Sequence, residues 1–255
     1  VSVLDEIVAA HRRAAAEDER DLDQLLDAAG AAPEPPRDFR AALAAPGLSV
    51  IAEVKRRSPS KGDLAPDLDP ALLAKSYAEG GAAALSVLTD GAYFGGSPDD
   101  LAAARAACDL PVLRKDFTVD ARDVVDARLM GADAVLLIVA ALTDAELTRF
   151  RALAADLGLA ALVEVHDEAE LDRAVAAGAD LIGVNQRDLR TFAVDRTLAA
   201  RLVARVPAGV VTVAESGVRT SGDIPPGVDA VLVGETLVTS SDPTAAIREL
   251  RGAQP

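Results

Sequence analysis

From residue 48 onward, short apolar runs alternate with longer Ala-rich segments whose apolar positions recur at helical spacing. The apolar runs at 48–55, 84–88, 111–115, 133–139, 160–165, 181–185, 210–214 and 229–233 predict eight strands. Helices are predicted at 70–79, 98–107, 120–130, 143–156, 167–177 and 195–205, with a last one at 242–251 and a shorter link between strands seven and eight. The phrases GAAAL at 81, GADAV at 131, GADLI at 178 and GVDAV at 227 precede the even-numbered strands, where a Gly ends a helix and the chain turns into a strand. Eight such units predict a closed (β/α)8 TIM barrel. A doubly wound open sheet is the alternative; it usually has fewer strands, and no GxGxxG fingerprint is present.

Upstream, Val3, Leu4, Ile7 and Val8 form an apolar stripe that predicts a helix over 2–28, ended by Gly30 and followed by Pro33, Pro35 and Pro36. A short helix near 37–44 leads into strand one. This front piece is too small and too weakly apolar for a core of its own. The expectation is one domain over 1–255, with 1–47 as an N-terminal helical extension packed over one end of the barrel.

Composition narrows the picture. Aromatic residues make up only 3%, so Ala, Val and Leu must fill the core. The net charge of −15 opposes binding to nucleic acid or anionic membranes, while an anionic substrate needs only a local convergence of cations. No signal-peptide pattern and no apolar run long enough to span a bilayer occurs, and the single cysteine, Cys108, permits no internal disulfide, which suits a cytoplasmic location. The chain carries four lysines, Lys55, Lys61, Lys75 and Lys115, against a background of arginine. A lysine kept in such a background suggests a need for a compact ammonium that can give up a proton.

In a (β/α)8 barrel the chemistry lies at the C-terminal strand ends. The run IAEVKRRSPSKG at 51–62 places Glu53 and Lys55 on one face of strand one, where an acid and an amine are costly to bury unless paired or used. Strand three ends in Lys115, strand five in Glu164 and His166, strand six in Asn185 and Arg187, and strand seven in Glu215, Ser216 and Gly217. Gly234 and Glu235 follow strand eight, and with Gly217 they offer a phosphate cradle in the loops where this fold usually binds one. Two histidines and one cysteine form no metal constellation, and no GxSxG elbow occurs.

These motifs, together with YFGGS at 93, VLRKDF at 112, LVEVH at 162, GVNQRDL at 183, AESG at 214 and VLVGE at 231, resemble the indole-3-glycerol-phosphate synthase family over nearly the whole chain. Gln186 departs from the Asn or Ala more usual there, leaving Asn185 and Arg187 in place. The resemblance implies a lyase of tryptophan biosynthesis acting on 1-(2-carboxyphenylamino)-1-deoxyribulose 5-phosphate, a phosphorylated small molecule. It implies ring closure with loss of carbon dioxide and water, and no cofactor or metal. It implies catalytic roles for Glu53, Lys55, Lys115, Glu164, Asn185 and Glu215, and leaves open which group serves which proton transfer. Ser58, Arg187, Ser216, Gly217, Gly234 and Glu235 are then expected at the anionic ends of the substrate. Phe94, Phe117, Leu136 and Ile138 are expected around the aromatic ring. A monomer or weak homo-oligomer is expected. Two alternatives stand beside this reading: a sugar-phosphate isomerase on the same fold, and a catalytically silent barrel. Lys55, Lys115 and Glu164 speak against the first, and intact Lys115 and Glu164 against the second.

Overall fold

The structure, a computed structural model, describes residues 2–188 and 190–252. Among these residues eight parallel strands close into a barrel: β1 (Ser49–Val54), β2 (Ala84–Leu88), β3 (Val112–Lys115), β4 (Ala134–Ile138), β5 (Ala160–Val165), β6 (Leu181–Asn185), β7 (Val211–Glu215) and β8 (Ala230–Val233). Each strand pairs with its neighbours in sequence, and β1 pairs with β8 from Ser49↔Ala230 to Ala52↔Val233. The predicted closed barrel is therefore the fold, and the open sheet is excluded.

Strand alternation sorts the side chains into two layers. Val50, Ala52 and Val54 of β1 pack outward against the helices. Ile51 points inward and meets Leu113, Leu136, Leu162, Leu181, Val213 and Leu232 in the barrel interior. Toward the C-terminal ends the inward positions turn polar, at Glu53, Lys115, Glu164, Asn185 and Glu215.

The N-terminal extension holds α1 (Val3–Glu17), α2 (Leu22–Gly30) and α3 (Phe39–Leu43). The single helix expected over 2–28 is thus two. At the break, residues 18–21, Asp18 is extended and ends α1, the Asp21 side chain caps α2, and Arg20 is held by Asp18 and, far along the chain, by Asp126 (2.8 Å). The extension also reaches both ends of the barrel rather than one. Val3, Leu4 and Ile7 of α1 lie over the C-terminal mouth. Phe39 and Leu43 of α3 plug the opposite end, packed on the interior layer.

Leu43 is fully buried there. Leu43→Ala is expected to destabilise the protein by about 2–5 kcal/mol through lost burial and the cavity left behind. Urea unfolding reads this directly, and a change below about 1 kcal/mol would mean that α3 is not a plug.

The remaining helices are α4 (Pro70–Gly80), α5 (Gly91–Phe94), α6 (Pro98–Ala107), α7 (Ala121–Leu129), α8 (Asp144–Asp156), α9 (Glu168–Ala176), α10 (Leu198–Val203), α11 (Glu235–Val238) and α12 (Pro243–Gly252). Their starts follow local chemistry. Asp69 and Ser97 cap α4 and α6 just ahead of a proline, and Thr143 forms a capping box with Glu146. Gly81, Gly131, Gly178 and Gly227 all carry φ between 76° and 88°, which is why those phrases need glycine. The aspartate of the second phrase, Asp133, is buried and accepts the backbone N–H groups of Arg37 and Val112, both at 2.7 Å, so it also ties down the extension. The link between β7 and β8 holds a short 3-10 turn, Ser221–Asp223, in place of an α-helix. After β1 the loop folds into a small hairpin, Arg57–Ser58 with Gly62–Asp63.

Candidate active site

The inward polar residues meet at the C-terminal mouth and line a cavity of about 500 Å³. Glu53, Lys55, Lys115, Glu164, Asn185 and Glu215 all border it, as do Ser58, Phe94, Phe117, Leu136, Ile138, Arg187, Ser216, Gly217, Gly234 and Glu235. Strand register brings them together: Glu53 stands beside Ser86, Ile138 beside Glu164, and Asn185 beside Glu215.

At the centre is the Lys115 ammonium, 2.6 Å from Glu215 Oε2 and 3.1 Å from Glu164 Oε2. Both carboxylates are only 2% exposed. Burial would push the Lys115 pKa down, but Glu215 and Glu164 outweigh it and hold the amine protonated. Burial pushes Glu215 up; Lys115 opposes this and Glu164 adds to it, leaving Glu215 at about 7. Burial also acts to raise Glu164, but Lys115, His166 and Asn185 together hold it below the usual carboxylate range. Two carboxylates sharing one ammonium titrate as a pair, and the proton such a pair takes up falls first to Glu215.

Glu53 and Lys55 form a second ion pair on the β1 side. A side chain at Gly234 would collide with the Glu53 carboxylate and approach the Lys55 amine to 3.0 Å, so glycine is required there by close approach. Asn185 donates to Glu164 Oε1 at 3.2 Å and accepts from the Ser216 hydroxyl at 2.9 Å and the Arg187 N–H at 3.1 Å. Ser216 holds a left-handed backbone (φ 65°), an unusual conformation for a non-glycine residue. Gln186, the family departure, steadies it by donating Nε2 to the Ser216 carbonyl at 2.8 Å. Of the motif at 183–189, Leu189 lies outside the described residues.

The apolar wall combines Phe94, Phe117, Leu136 and Ile138 with residues that strand-end reasoning missed: Val3, Leu4 and Ile7 of α1, and Leu88 and Leu232. The amphipathic stripe of α1 was the available signal, though its partner is the cavity rather than a generic surface. Arg196 and Arg219 also border the cavity: Arg196 falls within the helix expected over 195–205 but lies ahead of α10, which begins at Leu198, and Arg219 lies in the loop after β7. Lys61 lies on the rim, 3.8 Å from Glu235 Oε1, in keeping with a loop residue.

His11 of α1 is joined to the mouth. Its Nε2 lies 3.0 Å from Asp90 Oδ2 and 3.9 Å from Asp116 Oδ1, and its ring meets Phe117 at 5.4 Å. Its hydrogen bond to Asp90 raises its pKa. No metal constellation is expected from the sequence, yet these three residues stand within ligand distance of one another. Their oxygens already accept protein donors, from Tyr93 and Phe94 N–H and His11 at Asp90, and from Phe117 N–H, Thr89 and Arg114 at Asp116. Among the described residues the cluster is accounted for as a clasp between α1 and the barrel.

Comparison with known proteins agrees with this geometry. A family model described as indole-3-glycerol phosphate synthase matches residues 4–250. An indole-3-glycerol phosphate synthase 2 of Streptomyces coelicolor is 60% identical over 233 residues, covering 90% of each chain. An indole-3-glycerol phosphate synthase of Nocardioides sp. is 55% identical with both chains covered in full, and one of Mycobacterium ulcerans is 54% identical over 88% of this chain and 84% of its own. Among solved structures, a thiamine phosphate pyrophosphorylase from Pyrococcus furiosus superposes with a TM-score of 0.61 at 20% identity, over 81% of this chain and 95% of that one, a likeness of fold alone. With the barrel, the family match over almost its full length and relatives above half identity in agreement, the chain belongs to the indole-3-glycerol phosphate synthase family.

Proposed function

We propose that this chain closes the pyrrole ring of 1-(2-carboxyphenylamino)-1-deoxyribulose 5-phosphate, releasing carbon dioxide and water to give indole-3-glycerol phosphate. The observation that carries the reading beyond family membership is the Lys115 ammonium held between Glu164 and Glu215 against an apolar wall. Ring closure needs a proton at the ketone oxygen as the aryl carbon that bears the carboxylate attacks the ketone carbon. Lys115 is the acid placed to supply it. Carbon dioxide then leaves with the C–C bond pair returning to the ring, a step favoured where Phe94, Phe117, Leu136 and Ile138 exclude water from the carboxylate. Dehydration removes the new hydroxyl as water and a proton from the adjacent methylene. Glu164 serves as the base, and Lys55 with Glu53 forms the second acid–base pair.

Ser58, Arg187, Ser216, Gly217, Gly234 and Glu235 hold the phosphate and carboxylate ends in this reading, and Asn185 orients both Glu164 and the substrate. Residues 1–47 and the barrel form a single domain, a reading supported by the extension's contacts at both barrel ends. The chain acts on this small molecule in the cytoplasm, as a monomer or weak homo-oligomer, away from nucleic acid and membranes. The acidic balance supports that, and among the described residues no helix is long and apolar enough to cross a membrane.

The direct test mixes purified protein with the carboxyphenylamino-deoxyribulose phosphate and follows indole fluorescence and carbon dioxide. Absence of product at micromolar protein would sink the reading. A pH series adds a second outcome. Glu215, held up at about 7, takes the pair's proton as pH falls and so changes the charge around Lys115 and Glu164, and kcat/KM is expected to fall as pH drops below about 7.

A further inference from the structure

His166 is not among the residues lining the cavity, and the chemistry above does not use it. It nevertheless stands directly behind Glu164. The ring sits between two carboxylates, with Nδ1 3.0 Å from Glu170 Oε2 and Nε2 3.3 Å from Glu164 Oε1. The same Glu170 oxygen accepts the His166 backbone N–H at 2.8 Å, which fixes the ring from the first turn of α9. The Nε2 contact is off the line of an ideal hydrogen bond and is an ion pair in character; among the described residues Nε2 has no other partner.

A neutral imidazole carries one N–H and one lone pair. With a carboxylate at each nitrogen, a neutral ring would turn its lone pair on an anion whichever tautomer it chose. Only the doubly protonated ring satisfies both neighbours. Burial opposes that charge, but the two carboxylates outweigh it and raise the pKa to about 10.

We propose that His166 is a positioning residue: an imidazolium, anchored by Glu170, that orients Glu164 and keeps it ionised from the side opposite Lys115. The proposal rests on the assignment of Glu164 as the base. Glu164 is then flanked by Lys115 from β3, His166 behind it, Asn185 from β6 and Glu215 from β7. Among the described residues the like charges around it are Glu215, which shares Lys115 with it, Glu53, whose charge also acts on Lys115, and Glu170 beyond the imidazole. A single ammonium between two carboxylates leaves a net negative site that draws a proton; His166 supplies the second cation. Glu170 does not border the cavity and acts through His166, at its ring and its backbone N–H.

The test is the pH profile of His166→Gln and Glu170→Gln. Loss of the imidazolium lets the Glu164/Glu215 pair take its proton at higher pH. The acid limb of kcat/KM is expected to move up by about one pH unit in His166→Gln, so that activity is about tenfold low at pH 6.5 and recovers to near the wild-type value at pH 9. Glu170→Gln is expected to shift the limb in the same direction by less. A uniform loss at every pH, or an unmoved limb, would overturn the proposal, because a purely structural role lowers the rate without moving the titration. Nitrogen-15 spectra of the wild-type imidazole, taken on resting enzyme, give a readout independent of turnover. Both ring nitrogens are expected to be protonated at pH 8, and a neutral ring there would refute the assignment even if His166→Gln failed to fold. If the wild-type protein makes no product, the synthase reading fails while the imidazolium is still decided by the spectra. If it turns over and the limb stays put, only the role of His166 falls.

Discussion

Lys115→Ala is expected to lower kcat by roughly 10³-fold while substrate affinity changes little, since it removes the acid and the ammonium that would stabilise the developing alkoxide. The phosphate and carboxylate ends are assigned to other residues, so equilibrium binding measured by quenching of the substrate's aromatic fluorescence should persist. The substitution also leaves Glu164 and Glu215 facing one another without the cation they share. Two buried carboxylates so placed cannot both stay ionised, and one takes up a proton. Raising the pH should therefore unfold the variant earlier than the wild type, as both groups are forced to charge. Turnover near the wild-type rate would refute Lys115 as the acid.

Glu164→Gln is the second large effect, expected at about 10²–10⁴-fold in kcat for loss of a general base. Gln keeps the side-chain length and an oxygen that can accept from Asn185, so much of the local geometry survives. What it cannot do is accept the proton. The loss should therefore persist at every pH, including pH 9, where His166→Gln recovers. That contrast between two adjacent residues separates a group that reacts from one that only positions. A Glu164→Gln enzyme restored at alkaline pH would show that Glu164 is not the base.

Much of the barrel was legible because its logic is local. Apolar runs such as AVLLI at 134–138 and LIGVN at 181–185 are long enough to be strands and too short to be helices, and the glycines before them fix the turns. The ring of polar residues at the mouth was legible for a related reason. Glu53, Lys115, Glu164, Asn185 and Glu215 each interrupt an apolar run at its C-terminal end, the one place where this fold leaves an inward position unfilled. What the sequence withheld was long-range. The stripe of Val3, Leu4 and Ile7 declares that α1 is covered, but not by what. The two helices within 2–28 depend on Arg20 finding Asp126, a residue in α7. His166 looked as much structural as functional because its meaning lies in Glu170 on one side and the proton balance of Glu164 on the other. Arg219 reaches the cavity from a loop whose course no periodicity encodes, and Arg196 from the turn ahead of α10, which the expected helix over 195–205 had absorbed.

The extension that seals both ends of the barrel also orders the events of biosynthesis. α1 and α3 leave the ribosome ahead of the barrel, when their partners there do not yet exist. His11 waits for Asp90, Arg12 for Glu146, and the α3 plug for Ala230 and Leu232, close to the end of the chain. β1 is likewise unpaired on one edge until β8 is made. Closing so long a loop is slow relative to forming the βα units between. A segment translated ahead of the barrel is therefore among the last to dock, and a nascent chain halted before β8 would carry an open edge, an unplugged floor and an uncovered mouth.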